Sequence, residues 1–340
     1  MQKEAFIQLC NLDGPSGYEN AVREYILNEL NSYNTPKEVS VDAMGNVLVH
    51  LIGKQPADKK VQFDAHMDEV GFIVTHICDD GTLRFETVGG IDAAVLFGHR
   101  VRIGSQIGVI GGKAYHQCSS DETKKVPDKS SMRIDIGAVN KEEAEKLVGV
   151  GEYGTFDADL TFIDNTHFLG KAVDDRVGCY LLLEMAKSQP ERDIWLTFSV
   201  QEEVGLRGAG VATEAIQPDI VVAIDATTAA DIAGNAADAV VCRVGKGAVV
   251  SFADGATLYD TNLYHRIRGL GDKNGIATQT KNRIAGGNNA GAMQRRYTGA
   301  VAAAISLPCR YIHSPACFGS MEDVIAMYDL LTCMAKELTQ

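Results

Sequence analysis

Two apolar runs constrain this chain more than any other feature. "DIWLTFSVQ" (193–201) and "DIVVAIDAT" (219–227) are short and almost continuously apolar, the pattern of strands buried on both faces. Each follows a stretch of helical spacing, "DDRVGCYLLLEMAKS" (174–188) and "LRGAGVATEAI" (206–216). Buried strands alternating with helices build a largely parallel α/β sheet. The same texture surrounds them. "GYENAVREYILNELNSY" (17–33) places Val22, Tyr25, Ile26, Leu30 and Tyr33 at helical intervals. "KEVSVDAMGNVLVHLIG" reads as two strands joined at Met44–Gly45–Asn46, and "KKVQFDAH" as a third strand. "TNLYHRIRGLGDKNG" and "SMEDVIAMYDLLTCMAKEL" read as further helices.

Between about 70 and 166 the texture changes to short strands broken by glycine turns, as in "GFIVTHICDDGTLRFETVGG" and "HRVRIGSQIGVIGG". This favours a small β-barrel-like unit. Within it, 119–131 is polar and reads as a loop, and Asn140 is placed to cap the helix in "NKEEAEKL". The expected organisation is a discontinuous α/β domain of residues 1–69 and 167–340, interrupted by a β-rich domain over 70–166.

The formal charge of −13 argues against a general nucleic-acid binder, which must neutralise phosphates, and against docking on anionic lipid. No apolar run is long enough to span a bilayer, and the opening "MQKEAFIQLCNLDG" lacks the apolar region of a signal peptide. The eight cysteines are scattered with no CxxC, the usage of reduced thiols in a cytoplasmic protein.

Ligands of open α/β sheets collect at the carboxyl ends of strands, and five segments deliver acids or imidazoles there. "DAHMDEVG" (64–71) offers His66 and Asp68 on one face of a strand, followed by Glu69. "GKAVDDRVG" (170–178) offers Asp174 and Asp175, "FSVQEEVGLRGA" (198–209) Glu202 and Glu203, "VVAIDATTA" (221–229) Asp225, and "PCRYIHSPA" (308–316) His313. Each has a plain structural reading alone: acids at a helix start, a solvated strand end, a capping aspartate, a structural histidine. Together they make a set of two imidazoles and several carboxylates that suits zinc or another first-row divalent ion. Adjacent Glu202 and Glu203 diverge in direction, so one can be a ligand and its neighbour a free acid or base.

"AHMDEVG", "KAVDDRVG", "VQEEVGLRGA", "AIDAT" and "RYIHSP", in this order, resemble the cytoplasmic metallo-aminopeptidase family of glutamyl aminopeptidase and the tetrahedral aminopeptidases. The likeness runs from "GPSGYE" to "MEDV". It implies a zinc-peptidase-like α/β sandwich carrying an inserted β-barrel-like domain that supports assembly. It implies that His66 and Asp225 hold one metal ion, that Glu203 and His313 hold a second, and that Asp174 bridges them. Asp68 would orient His66, and Glu202 would be the general base for a metal-activated water. Two divalent ions are implied, zinc first, with cobalt or manganese as alternatives. The implied partners are short peptides and further copies of the chain, as hollow tetrahedral dodecamers.

The preferred N-terminal residue stays open among acidic, leucine-type and lysine-type. Lys246, Arg295 and Arg296 are the cations considered for an acidic preference. One departure from the family pattern is "GGNNAGAM" (286–293), where Asn288 and Asn289 stand in place of Thr and Asp. Glu69 is expected to be a solvated or structural acid, and Gly71 to let the chain turn out of the first domain. Two other readings are weighed: an N-acyl amino-acid or small-amide hydrolase on the same scaffold, and a metal-binding assembly protein without activity. The presence of both Glu202 and Asp68 argues against the second, because a structural metal site needs no base.

Overall fold

The computed structural model describes residues 3–340. Its centre is an eight-stranded sheet in the order Lys37–Val41, Val47–Leu51, Ile194–Ser199, Val61–His66, Ile220–Thr228, Val301–Cys309, Ala248–Val250, Thr278–Thr280. The middle four strands, from Ile194–Ser199 to Val301–Cys309, are mutually parallel. Their carboxyl ends therefore emerge along one edge, and this edge carries the chemistry. Antiparallel pairing flanks them on both sides.

Alternation along these strands divides their side chains between two layers. Val222 and Ile224 join the larger core, with the helices Val173–Ala186 and Met321–Leu338; Val221 and Ala223 face Ala209 and Met293 on the other side. On this second face the strand "VQFDAH" carries a polar stripe, which is why its buried residues include Gln62 and Asp64. Thr197 and Ser199 hydroxyls donate to the Asp64 carboxylate (2.5 and 3.1 Å), and the Asn289 amide donates to it at 2.8 Å.

Six short strands close a barrel in the order Gly71–Ile77, Leu83–Val88, Arg133–Asp135, Gln106–Gly111, Arg100–Ile103, Tyr153–Phe156. Closure removes the free edges that short strands would otherwise expose. It has its own apolar core around Phe72, Phe85 and Phe156, whose rings meet edge to face. The expected cap is present: the Asn140 side chain accepts from the Glu143 amide at 2.9 Å. The polar stretch 119–131 forms two single 3₁₀ turns, Glu122–Lys124 and Lys129–Ser131. After the barrel, His167–Gly170 pairs with Thr161–Phe162 and with Cys317–Ser320, tying the returning chain to the strand that leads into Met321–Leu338.

The expectation for Gly71 needs a different reason. Its backbone starts the first barrel strand rather than a turn, and a Cβ there would lie 2.6 Å from the Gly154 carbonyl and 2.7 Å from Pro15 Cβ. Close approach, not a turn, selects glycine at this position. Among the described residues, no helix is long and apolar enough to cross a membrane.

Candidate active site

Each of the middle four strands delivers one part of the site. His66 is the last residue of its strand, beside Ser199 in the register. Glu202 and Glu203 follow the strand that ends at Ser199. Asp225 lies within Ile220–Thr228. His313 sits in the loop between Val301–Cys309 and Cys317–Ser320, with a left-handed φ of 57°.

Asp174 comes from the opposite side, at the start of Val173–Ala186. The sequence suggests two acids in a regular first turn, but Asp174 (φ −82°, ψ 111°) and Asp175 (φ −118°, ψ 41°) are both non-helical, and the peptide bond between them is cis. The two side chains consequently part company. Asp174 faces the site, while buried Asp175 accepts from the backbone amides of His66 (3.2 Å) and Gly178 (3.0 Å). A Cβ at Gly178 would lie 2.5 Å from that carboxylate, which accounts for the glycine in "DDRVG".

The converging groups form two sets that share one residue. Ligand-type atoms of His66, Asp174 and Asp225 lie within 4.8 Å of one another, and so do those of Asp174, Glu203 and His313. His66 Nε2 is 3.1 Å from Asp174 Oδ1 and 4.0 Å from Asp225 Oδ1. His313 Nε2 is 3.3 Å from Asp174 Oδ2 and 3.2 Å from Glu203 Oε1.

Both imidazoles are braced from behind at Nδ1 by backbone carbonyls. His66 Nδ1 donates to the carbonyl of Asp68 at 3.0 Å, with the Asp68 carboxylate slightly farther at 3.4 Å. His313 Nδ1 donates to the carbonyl of Gly90 at 2.7 Å. With Nδ1–H committed to a carbonyl, each Nε2 faces the carboxylates, donating to them when the ring is protonated and free to offer its lone pair to a metal ion when it is neutral.

Asp68 does more than face a histidine. Its carboxylate accepts from the backbone amides of Glu202 (3.0 Å) and Glu203 (3.1 Å) and from the Ser16 hydroxyl (2.6 Å). One buried carboxylate thus ties the end of the His66 strand to the Glu202–Glu203 turn. These bonds to its charged form and the neighbouring imidazole outweigh its burial, and its pKa falls below the usual carboxylate value.

The facing basin behaves oppositely. Burial, reinforced by Glu203, Asp174 and Asp68, pushes Glu202 up to about 8. Burial with the charges of Asp174 and Glu202 raises Asp225 well above its ordinary value, and burial raises Glu203. Asp174 is held low against its burial by hydrogen bonds to His313 and His66. Burial would lower His313, but Asp174 and Glu203 carry it up to about 11. Among the described residues, no Lys or Arg forms an ion pair with Asp174, Glu202, Glu203 or Asp225; the ion-pair partners of Asp174, Glu203 and Asp225 are imidazoles. Glu203 Oε1 is buried and makes no aligned hydrogen bond, with His313 Nε2 lying 3.2 Å away. A basin with more carboxylate than cation, lined by imidazole nitrogens and carboxylate oxygens, suits divalent metal ions.

Glu69 resolves as a structural acid. It is buried, and its carboxylate accepts from Lys171 Nζ (2.8 Å), Arg176 Nη2 (3.4 Å) and the Gly14 amide (3.1 Å). Lys171 also reaches Asp13, which pairs with Arg102 on the barrel.

A family model described as M42 glutamyl aminopeptidase matches residues 45–330. The chain belongs to the M42 glutamyl aminopeptidase family. It is 33% identical over 350 residues to the lysyl aminopeptidase of Pyrococcus furiosus, covering 98% of this chain and 97% of that protein. The crystal structure of a TET aminopeptidase from the marine sediment archaeon Thaumarchaeota archaeon SCGC AB-539-E09 superposes with a TM-score of 0.94 at 31% identity, covering 99% of this chain and 96% of that one. The TET1 peptidase of Pyrococcus horikoshii, described as able to assemble into a tetrahedron or a large octahedral shell, superposes at 0.86 with 32% identity over 98% of this chain and 99% of that one. As an M42 member the chain is an aminopeptidase, a peptide-bond hydrolase acting from the amino end, on a mixed α/β fold with a closed six-stranded barrel.

Several participants in this M42 site escaped sequence reasoning. Gly90 acts through a carbonyl, which no side-chain motif marks. Ser16 lies in "GPSGYE", and only the family likeness drew that stretch out. Lys171 and Arg176 flank the Asp174–Asp175 pair, and a cation beside acids carries no distinct signal in sequence. The cations considered for substrate choice lie elsewhere: Lys246 is exposed, and the Arg295 guanidinium donates to the Gly291 carbonyl. Asn288 and Asn289 are buried and do not line the cavity beside the basin. Asn288 caps the Ala290 amide at 3.0 Å, and Asn289 donates to Asp64. Aspartate at 289 would set two buried carboxylates together, so Asn matches Asp64.

Proposed function

We propose that this aminopeptidase depends on two divalent metal ions, held by His66, Asp174 and Asp225 and by Asp174, Glu203 and His313. The observation that carries the reading is the sharing of Asp174 between the two ligand groups. Zinc suits the mixed imidazole and carboxylate donors, with cobalt and manganese as alternatives. When bound, such ions supply an acidified water and polarise the scissile carbonyl.

The protein's own groups do the rest. Glu202 receives the proton of the attacking water on its carboxylate and passes it to the leaving amine nitrogen. Asp68 fixes the backbone of Glu202 and Glu203 through its two amide contacts, so base and ligand keep one geometry. The acidic basin favours a substrate's free α-ammonium, which sets the exopeptidase register. Short peptides are the substrates under this reading.

We further propose that residues 70–166 form an inserted domain serving assembly, and that the chain forms homo-oligomers, with a tetrahedral dodecamer as the leading arrangement. The support is the likeness to the TET1 peptidase, whose assemblies are of this kind. Eight free cysteines fit a reducing compartment, and we place the chain in the cytoplasm.

The test uses amino-acyl chromogenic amides, free and N-acetylated, before and after chelation and metal add-back, with metal content measured directly. Turnover of free-amine substrates alone, lost with the metal and regained with it, supports the reading. Turnover that persists in metal-free protein overturns it. Preference for N-acetylated substrates moves the chain to the amide-hydrolase alternative.

A further inference from the structure

Where the strand Ile194–Ser199 ends, the chain turns into Glu202 and Glu203, and the amides of this turn are claimed from outside it. Four consecutive backbone N–H groups donate to side-chain oxygens of distant residues: Val200 to Asn46 (2.9 Å), Gln201 to Glu19 (3.2 Å), and Glu202 and Glu203 to Asp68 (3.0 and 3.1 Å). Gln201 has a left-handed φ of 58°, a conformation uncommon without glycine. Such a residue keeps its conformation only where its surroundings over-determine it, and here the outside acceptors do so.

Among these acceptors Glu19 stands apart. It occupies the N-cap position of the helix Asn20–Ser32, where an acidic side chain ordinarily accepts from the first-turn amides of its own helix. Glu19 makes no such bond. Its Oε1 accepts instead from the Gly17 amide at 2.8 Å and from the Gln201 amide. The residue is 4% exposed and forms no ion pair among the described residues. A buried acid that forgoes its own helix and has no balancing cation is costly as plain structure. The segment before it is held firmly. Ser16 donates to Asp68 at 2.6 Å, the Gly14 carbonyl accepts from the Glu69 amide at 3.0 Å, and the Tyr18 ring stacks on Tyr153 of the barrel with centroids 5.4 Å apart. Glu19 therefore reaches the turn from a fixed base.

We propose that Glu19 is a positioning residue for the general base: through the Gln201 amide it sets the turn from which Glu202 meets the attacking water. This rests on the reading of Glu202 as the base of this aminopeptidase. One oxygen takes both amides, so the role needs an acceptor at the right reach and not a charge. Glutamine at this position keeps a carbonyl oxygen at the same reach without the charge. Aspartate keeps the charge and withdraws the oxygen by one methylene.

The experiment sets kcat, KM and bound metal of metal-loaded Glu19→Gln and Glu19→Asp against wild type, each alone and combined with Glu202→Gln. Amide hydrogen exchange over residues 200–206 is followed in the same proteins without metal. Glu19→Asp is expected to lower kcat on the order of 10- to 10²-fold, the scale of a small misplacement, with KM and metal content little changed. Glu19→Gln should recover most of that loss. In the Glu202→Gln background Glu19→Asp should cost no further kcat, because the group it positions is already gone. Exchange over 200–206 should quicken in Glu19→Asp and not in Glu19→Gln. An unchanged kcat in Glu19→Asp overturns the proposal. So does a Glu19→Gln loss as large as that of Glu19→Asp, an equal fold-loss in both backgrounds, or a loss that tracks bound metal. Each of these leaves Glu202 in its role. Full turnover by Glu202→Gln alone removes the base assignment, and this inference falls with it.

Discussion

Two clusters of buried charge lie back to back at the carboxyl edge of the sheet, and they are solved in opposite ways. Behind it, Glu69, Asp13, Lys171 and Arg176 balance acids against bases, with backbone carbonyls taking the remaining donors. In front, Asp174, Glu202, Glu203 and Asp225 gather around two imidazoles with no Lys or Arg paired to them among the described residues. The first cluster is complete and holds the molecule together. The second is short of positive charge and is complete only when something else binds. Incomplete electrostatics, rather than burial alone, marks the functional cluster.

The two clusters should answer mutation differently. The largest effect is expected for Glu202→Gln, with kcat falling about 10²–10⁴-fold and bound metal unchanged; metal analysis beside steady-state kinetics checks it, and full turnover would remove Glu202 from its role. Next is Lys171→Met, which strands Glu69 and should cost about 3–5 kcal/mol in chemical denaturation. Adding Glu69→Gln should return part of that loss, and a strictly additive double variant would mean the pair is not coupled.

Asn289→Asp tests the third buried acid, Asp64. Burial raises Asp64 to about 6 despite donors from Thr197, Asn289 and Ser199. A raised acid contributes stability that is complete below the unfolded value near 3.9 and is lost as pH rises through about 6. The variant exchanges a donor for a second carboxylate. Its deficit against wild type should widen between about pH 4 and pH 7, reaching about 1–3 kcal/mol; a flat difference across that window would contradict the pairing.

The smallest effect is the most telling. In metal-free protein above about pH 8, where Glu202 is ionised, Glu202→Gln should unfold no more easily than wild type, and later by up to about 1 kcal/mol, because it removes a charge from a crowded basin. Glu69→Gln should do the reverse. Equal destabilisation by both would erase the distinction between the clusters.

Much of the basin was legible because strand ends announce themselves. His66, Glu202, Glu203, Asp225 and His313 each close or follow an apolar run, and the sheet's parallel centre brings those ends together. The barrel was legible as texture, through short strands and glycine turns. What escaped was recognition at a distance. Gly90 reaches His313 across 223 residues, and Asn289 reaches Asp64 across 225. Neither has a local periodicity to betray it. Glu69 and Lys171 could not be paired from sequence, because an acid after a strand looks the same whether water or an ammonium meets it. Asp174 and Asp175 looked like helix-start acids, since dihedral angles that turn them apart leave no mark in composition.

The strand order carries a consequence for the birth of the chain. Val61–His66 has two neighbours in the sheet, Ile194–Ser199 and Ile220–Thr228, and both are made after the whole barrel. The barrel's strands all lie between Gly71 and Phe156, so its pairing partners exist as soon as that stretch leaves the ribosome. The strand that ends in His66 must meanwhile wait, its apolar face of Val61, Phe63 and Ala65 unpartnered, while its neighbours are still being translated. A nascent chain therefore holds an assembled barrel beside an exposed sticky strand, the interval in which chaperones matter most. His313 arrives last of the site residues, so the peptidase centre assembles only after Val301–Cys309, the last strand of the parallel centre, has been made.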